Sequence, residues 1–344
     1  MKKRRFYTLL ILFCLFSVGA LWASWYYRKP RFPIDLVYTW VDGGDEKWQQ
    51  KWQYWRRQLH PQDEYSVSPA RWRDRGELKH SLRSVAEFMP WVRKIFIVTD
   101  GQVPDWLNTD HPKIQIVDHK EIFPPDALPV FNSMAIESRI PYIRGLAEHF
   151  IYANDDMFAG APLEPEFFFT RDGKPILYYD TAYTDEALAE LAQKYSDKMW
   201  FHLWMRPLDL VEQKFGVRPK LLIDTHTFAP LVKSDLLHDM SLFADEFLRT
   251  TYSKFRSKTD MTYEIAMLVD QMHNRIVVKP ANDVDPKFRC SPAGIVMVEY
   301  VGLKGFDRPC TFCLNDTQNL SKGGTQRQMQ YMHWYFPDKS VFEK

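Results

Sequence analysis

Cysteine is scarce in this chain, with four among 344 residues. Cys14 lies in an apolar run, so only Cys290, Cys310 and Cys313 remain, enough for one disulfide with one thiol left over. A disulfide-stapled scaffold is thereby excluded. Cys310-x-x-Cys313 has no second pair and no histidine at ligand spacing, which leaves a zinc site with little support. Excess charge of either sign is also missing: 45 Lys and Arg stand against 44 Asp and Glu, a net charge of +1. No basic stripe interleaves with exposed aromatics, so the electrostatic footprint of nucleic-acid binding is absent and no nucleic-acid partner is expected. Internal repeats and low-complexity linkers are lacking too. One globular domain is the simplest organisation.

What is present is ordinary in balance and rich in aromatics. Hydrophobic residues make up 45% and charged residues 26%, which suits a folded domain rather than a disordered one. Aromatics reach 15%, including 12 Trp. Rings at this density serve stacking on sugars or bases, but more commonly they build a thick core. Residues 6–27 carry no charge and follow Lys2, Lys3, Arg4 and Arg5. The run is long enough to cross a bilayer as a helix, with Trp22, Trp25, Tyr26 and Tyr27 at one interface. A cleaved signal peptide is the alternative, with Val18 and Ala20 as its small-residue site. The chain is thus read as a basic tail (1–5), a single-pass anchor (6–27) in the lipid bilayer, and a domain from 28 to 344. Basic residues before the span favour a cytoplasmic N-terminus, and Arg28, Lys29 and Arg31 beyond it weigh the other way, so the side of the main domain stays open.

From Pro33 the chain alternates strand and helix signals. Ile34–Val41, Lys94–Thr99, Lys113–Val117 and His149–Ala153 are short apolar, β-branched runs of the buried-strand type. Leu78, Leu82, Val85 and Met89 recur at helical spacing, and Pro90 marks the end of that helix. A second helix is expected within 136–147. Strand, helix, strand in repetition predicts an α/β fold, a mostly parallel sheet flanked by helices. Residues 161–200, with turns and the helical run from Asp185, carry no motif and read as an insertion.

In open parallel sheets, ligands bind beyond the carboxyl ends of the strands. Asp42, Asp100 and the pair Asp155-Asp156 all follow such ends. Carboxylates gathered there repel unless a cation joins them, and carboxylate oxygens suit a hard cation such as Mg²⁺ beside phosphate. Asp and Gly also simply end strands well, and spacing alone leaves both readings open.

Four ordered blocks go further. The first is Ile34–Gly43 (IDLVYTWVDG). The second takes in Arg73-Asp74, Glu77–Ser84, Pro90–Gln102, Phe131–Ser133, Ala135–Ser138 and Asn154–Asp156. The third holds Phe215-Gly216, His226, Pro230 and Lys254–Met261, and the fourth is Cys313–Asp316. In these blocks the chain resembles the Stealth family of sugar-phosphate transferases, which includes bacterial capsule and exopolysaccharide phosphotransferases and the catalytic part of the animal lysosomal-enzyme N-acetylglucosamine-1-phosphotransferase. The resemblance implies a Rossmann-like sheet of the nucleotide-sugar transferase kind, following the transmembrane helix. It also implies transfer of a hexose- or N-acetylhexosamine-1-phosphate from a UDP-sugar donor to a glycan or polysaccharide hydroxyl, with release of UMP. Met134, Arg139, Pro141 and Tyr142 depart from the family's usual residues, which bears on the choice of sugar and acceptor.

By the same resemblance, Asp156 is the expected catalytic carboxylate with Asp155 beside it, and both are expected to hold Mg²⁺ or Mn²⁺. His226 is expected to take the acceptor proton, since a neutral imidazole suits that task near neutral pH. Arg256 is expected to grip phosphate through its guanidinium fork, with Arg206 as a second cation. Trp40, Asp42, Gly43 and Arg83 are expected on the donor nucleotide. Asn132, Ser133, Glu137 and Asn154 suit hydroxyl and phosphate contacts, and Asn315 and Asp316 close the site. Two other readings compete. One is a metal-dependent glycosyltransferase that releases UDP; the other is a non-catalytic, membrane-tethered glycan-binding protein.

Overall fold

The computed structural model describes residues 31–61, 66–281, 309–316 and 322–344. The apolar segment 6–27 lies outside them; among the described residues no helix is long and apolar enough to cross a membrane.

The main sheet has five strands: β1 (Ile34–Thr39), β2 (Ile95–Thr99), β3 (Ile114–Asp118), β4 (His149–Asn154) and β8 (Ala229–Val232), in the order β3-β2-β1-β4-β8. The first four are parallel, and β8 runs antiparallel along the outer edge of β4. Strands move outward from β1 to β3, and the chain then returns to place β4 on the other side of β1. That reversal opens a crevice at the carboxyl ends of β1 and β4, the usual place for a ligand in such sheets.

Alternation along the strands divides the core in two. Ile34, Leu36 and Tyr38 face one cluster, which includes Leu78, Leu82, Val85 and Phe88 of the helix Glu77–Phe88. Val37 faces the other, with Phe96, Val98, Phe150 and Tyr152, under the helices Ser133–Arg139 and Glu264–Met272. The expected helix within 136–147 stops early. It runs Ser133–Arg139, and a 3₁₀ turn at Ile140–Tyr142 follows, because Pro141 has no N–H to continue the ladder.

Residues 161–200 carry part of a second sheet. They supply β6 (Ile176–Tyr183), which pairs with β7 (Leu221–Asp224) and β9 (Val277–Pro280) in a second, three-stranded sheet. β5 (Met157–Ala159) pairs with β10 (Thr311–Cys313), fastening the fourth sequence block beside the end of β4. Cys310 is disulfide-bonded and Cys313 is a free, buried thiol, so these two are not bonded to each other.

At the opposite edge of the main sheet, Asp35 is wholly buried and grips Arg93 through two bonds of 2.8 and 2.5 Å. Its carboxylate also accepts from the Lys94 and Ala147 backbones at 3.2 and 2.7 Å. One side chain thus ties β1 to the start of β2 and to the loop entering β4. Arg93→Ala would strand this carboxylate. We expect a loss of about 3 kcal/mol in a denaturant titration, the lower end for a broken buried pair because the Arg93 side chain is 40% exposed. An unchanged midpoint would show that the backbone donors alone suffice.

Candidate active site

Sequence-remote segments meet at the crevice. The cavity there measures about 610 Å³ and is lined by Thr39, Trp40, Asn154, Asp155, Asp156, His226 and Arg256 among others. Its size suits a small-molecule site. Asp155 and Asp156 form the tight turn between β4 and β5, so both carboxylates leave the sheet at its switch point. Leu314 N–H donates to the Asp156 carbonyl at 2.9 Å, which locks the turn against the strand from the fourth block.

These carboxylates are crowded. Burial pushes Asp155 well above the usual carboxylate range, and the charges of Asp156, Glu77 and Asp74 push it further. Burial also raises Asp156, opposed mainly by the charge of His226. Glu77, at the start of the neighbouring helix, is pushed up to about 8 by burial. The Asp156 Oδ1 atom is buried with no hydrogen-bond partner. An orphan carboxylate oxygen next to a second carboxylate fits a hard divalent cation whose other positions are taken by phosphate oxygens and water. Among the described residues no three His, Cys, Asp or Glu gather as an all-protein metal cage.

Positive charge faces this pair. Arg71 and Arg73 line the cavity. Asp316 lies 3.4 Å from Arg73 and 3.1 Å from Arg75, and Gln328 accepts from Arg75 at 2.6 Å, so the acid holds the arginine segment in place. Arg256 donates to Ser133 Oγ at 2.7 Å and offsets part of the rise that burial imposes on Glu137, which still reaches about 7. His226 has φ +47°, a left-handed backbone that β-carbon sterics disfavour. Its N–H donates to Asp224 Oδ1 at 3.2 Å, which holds the turn. His226 thus holds a disfavoured backbone at the cavity wall.

The far end of the cavity differs in character. Asp180, Asp224 and Glu264 stand there with Trp200 and Trp204. Tyr152 spans the middle: its hydroxyl donates to Asn154 Oδ1 at 2.7 Å and lies 3.2 Å from Glu137 Oε1.

Of the residues singled out from sequence, Asp155, Asp156, His226, Arg256, Trp40, Ser133, Glu137, Asn154, Asn315 and Asp316 line the cavity. Five do not. Arg206 is ion-paired with Glu246 at 2.5 Å, and Arg83 is held by Glu343 at 2.8 Å and by the Phe336 carbonyl. Asn132 is buried, caps the helix Ser133–Arg139 and donates to Asp260. Asp42 turns onto the Gly44 N–H, and Gly43 packs so closely that a β-carbon would lie 2.3 Å from the Trp72 carbonyl. Those two shape the loop and do not face the cavity. Trp40 is a fixed wall, 7% exposed with its indole N–H on Asp74 at 3.2 Å. Arg71, Glu77, His119, Asp224 and Glu264 are lining residues that sequence reading passed over.

Comparison with known proteins identifies the family. Residues 32–60 match Stealth protein CR1, conserved region 1, and residues 71–177 match Stealth protein CR2, conserved region 2. The chain is 34% identical over 297 residues to the capsular polysaccharide phosphotransferase fcs1 of Haemophilus influenzae, covering 83% of this chain and 79% of the relative. It is 34% identical over 300 residues to the capsular polysaccharide phosphotransferase LcbA of Aeromonas hydrophila, covering 84% and 81%. The exopolysaccharide phosphotransferase SCO2592 of Streptomyces coelicolor is 33% identical over 325 residues, covering 91% of this chain but 33% of that longer protein. Two further Streptomyces relatives are spanned over about half their length, 53% and 52%. The chain belongs to the Stealth family. Among solved structures, galactosyltransferase LgtC in complex with donor and acceptor sugar analogs aligns over 88% of this chain and 95% of its own, at 11% identity and a TM-score of 0.42, a likeness too distant to carry an assignment.

Glu264 offers a test of the crowding. Burial pushes its carboxyl up to about 8, and the charges of Asp224 and Glu137 add to the rise. A carboxyl with a raised folded pKa holds its proton more tightly in the folded state. Stability therefore falls as pH rises from the ordinary glutamate range through about 8. In Glu264→Gln the drop in denaturation midpoint between about pH 5 and about pH 8.5 should shrink relative to the parent chain. Equal drops in both would mean that Glu264 is not held protonated.

Proposed function

We propose that this chain transfers a hexose- or N-acetylhexosamine-1-phosphate from a UDP-sugar to a hydroxyl of a glycan or polysaccharide, forming a phosphodiester and releasing UMP. The observation that carries the reading is the meeting of Asp156, with its unpartnered buried oxygen, His226 and Arg256 on one cavity at the sheet's switch point. The names of the relatives support the reaction class.

In the proposed step the acceptor oxygen attacks the phosphorus that carries the sugar. The bond from that phosphorus to the bridging oxygen breaks, and UMP leaves with the bridging oxygen. The sugar keeps its own C1–O bond, so its anomeric configuration is retained. A divalent cation, Mg²⁺ or Mn²⁺, held by Asp155 and Asp156, would draw charge from the phosphoryl oxygens. His226 accepts the hydroxyl proton, and its fixed backbone aims the imidazole at one place. Arg256, steadied by Ser133, grips the phosphoryl oxygens, and Arg71 and Arg73 offer charge to the leaving nucleotide. Positioning and charge carry such reactions, because little covalent work falls to the protein. The acceptor enters at the end lined by Trp200 and Trp204, where indole faces suit sugar rings. The same reading keeps residues 6–27 as a single-pass membrane anchor with a cytoplasmic N-terminus.

The released nucleotide tests the chemistry. Incubation with UDP-sugars and glycan acceptors should yield UMP, whereas UDP would identify a glycosyltransferase. Asp156→Asn, His226→Ala and Arg256→Ala should each lower kcat by about 10²-fold or more with the fold intact. Chelation should abolish turnover, and added Mg²⁺ or Mn²⁺ should restore it.

A further inference from the structure

One lining residue has no part in the proposed chemistry. His119 follows β3 directly and is 4% exposed. Both of its ring nitrogens are buried without a hydrogen-bond partner, yet the residue faces the cavity with Trp48, Val130 and Phe131. A buried polar group left unsatisfied costs stability, so a native site that holds one has another use for it. The rings of Trp48 and Phe131 meet edge to face at 5.5 Å, and Trp48 packs on Trp72 at 5.6 Å, which makes this corner flat-walled and apolar.

Resting on the donor reading above, we propose that this corner binds the donor's uracil and that His119 reads the polar edge of the base. A neutral imidazole offers one N–H donor and one bare nitrogen acceptor. Uracil presents carbonyl acceptors and an N–H donor on a flat, uncharged ring, the complement of such a group between apolar walls. Burial keeps the imidazole neutral by pushing it down to about 4, despite nearby Asp100 and Asp118. Lys51 forms an ion pair with Asp100 and so offsets that acid's charge.

Spacing agrees. His119 sits at the carboxyl end of β3, and the carboxylate pair sits at the end of β4, three strands away across the order β3-β2-β1-β4. Three strand spacings are about 14 Å, the kind of span that separates a base from the second phosphorus of an extended nucleoside diphosphate. Arg71 and Arg73 line the same cavity and suit the phosphates along this path.

The test is UDP and CDP binding to the full chain by calorimetry, with KM and kcat for the UDP-sugar. His119→Phe keeps the ring's bulk and removes both nitrogens. It should weaken UDP binding and raise KM by about 10- to 100-fold, because a site built around a hydrogen bond penalises its loss steeply. Its kcat should stay within about twofold, since the base lies far from the reacting phosphorus. His119→Gln, which keeps one donor and one acceptor, should recover part of the affinity. The parent chain should prefer UDP to CDP by about tenfold or more. Equal affinity for UDP and CDP overturns the inference without any variant, as does a folded His119→Phe that binds UDP normally. Failure of the parent chain to bind UDP or to turn over any UDP-sugar would instead overturn the donor reading itself.

Discussion

Repulsion among carboxylates governs this molecule. Asp155, Asp156 and Glu77 converge at one end of the cavity, and Asp224, Glu137 and Glu264 at the other, all with raised affinity for protons. At about 4 Å and an effective dielectric near 20, two like charges repel by about 4 kcal/mol. Such a cluster survives only when cations reach it, and here they come from far along the chain. Arg73 and Arg75 are held by Asp316, and Arg75 also by Gln328, roughly 240 to 250 residues away in sequence. Arg256 docks on Ser133 across 123 residues. Closing those loops costs entropy, which the domain recovers by fastening β10 to β5 and the C-terminal segment to the helix Glu77–Phe88.

Stability and chemistry occupy opposite edges of the sheet. At the amino ends of β1 and β4, Asp35 is satisfied by a guanidinium and two backbone N–H groups. At the carboxyl ends, Asp156 keeps an oxygen without a partner, His226 keeps a disfavoured backbone, and His119 keeps two unpaired nitrogens. These three lie on the same cavity, as polar groups held for a ligand would. The clamp at one edge fixes the spacing of β1, β2 and β4, and that spacing sets where the groups at the other edge stand.

The parallel strands were legible because a strand buried on both faces must be apolar throughout. Ile95–Thr99 comes close to that, and Ile34–Thr39 and His149–Asn154 do so apart from Asp35 and the polar residues at their ends. β8 was not legible: Pro230 argues against a strand, and it is tolerated because β8 is an edge with β4 as its one partner. In the site, ten of the residues drawn from the family blocks line the cavity, while Asp42, Gly43 and Asn132, from the same blocks, support the loops and helix around it. Arg206 and Arg83 were misplaced for a physical reason, since a cation looks available until its acid is known. Glu246 and Glu343 stand 40 and 260 residues from them. His119 carried a readable signal that went unused. It directly follows Asp118, the end of the third parallel strand, and so obeys the same carboxyl-end rule that drew attention to Asp155 and Asp156.

The two ends of the cavity bear on the direction of the proposed reaction. In-line displacement at phosphorus requires the incoming oxygen and the leaving oxygen to lie on opposite sides. A cavity alike at both ends would bind donor and acceptor interchangeably. Here the β1–β3 side carries arginines, fixed aromatic walls and His119, which suit a nucleotide. The side built from β6, β7 and the helix Met199–Phe215 carries Asp180, Asp224, Trp200 and Trp204; among its described residues it offers no cation to phosphate, and its rings suit neutral sugar. In the proposed reaction an anionic leaving group would be drawn to the first side, and an uncharged hydroxyl would enter from the second. Asp180 and Trp200 come from the stretch that reads in sequence as an insertion. Changes there would alter the acceptor without moving the carboxylate pair, because β6 belongs to the second sheet and Asp155 and Asp156 are anchored by the first.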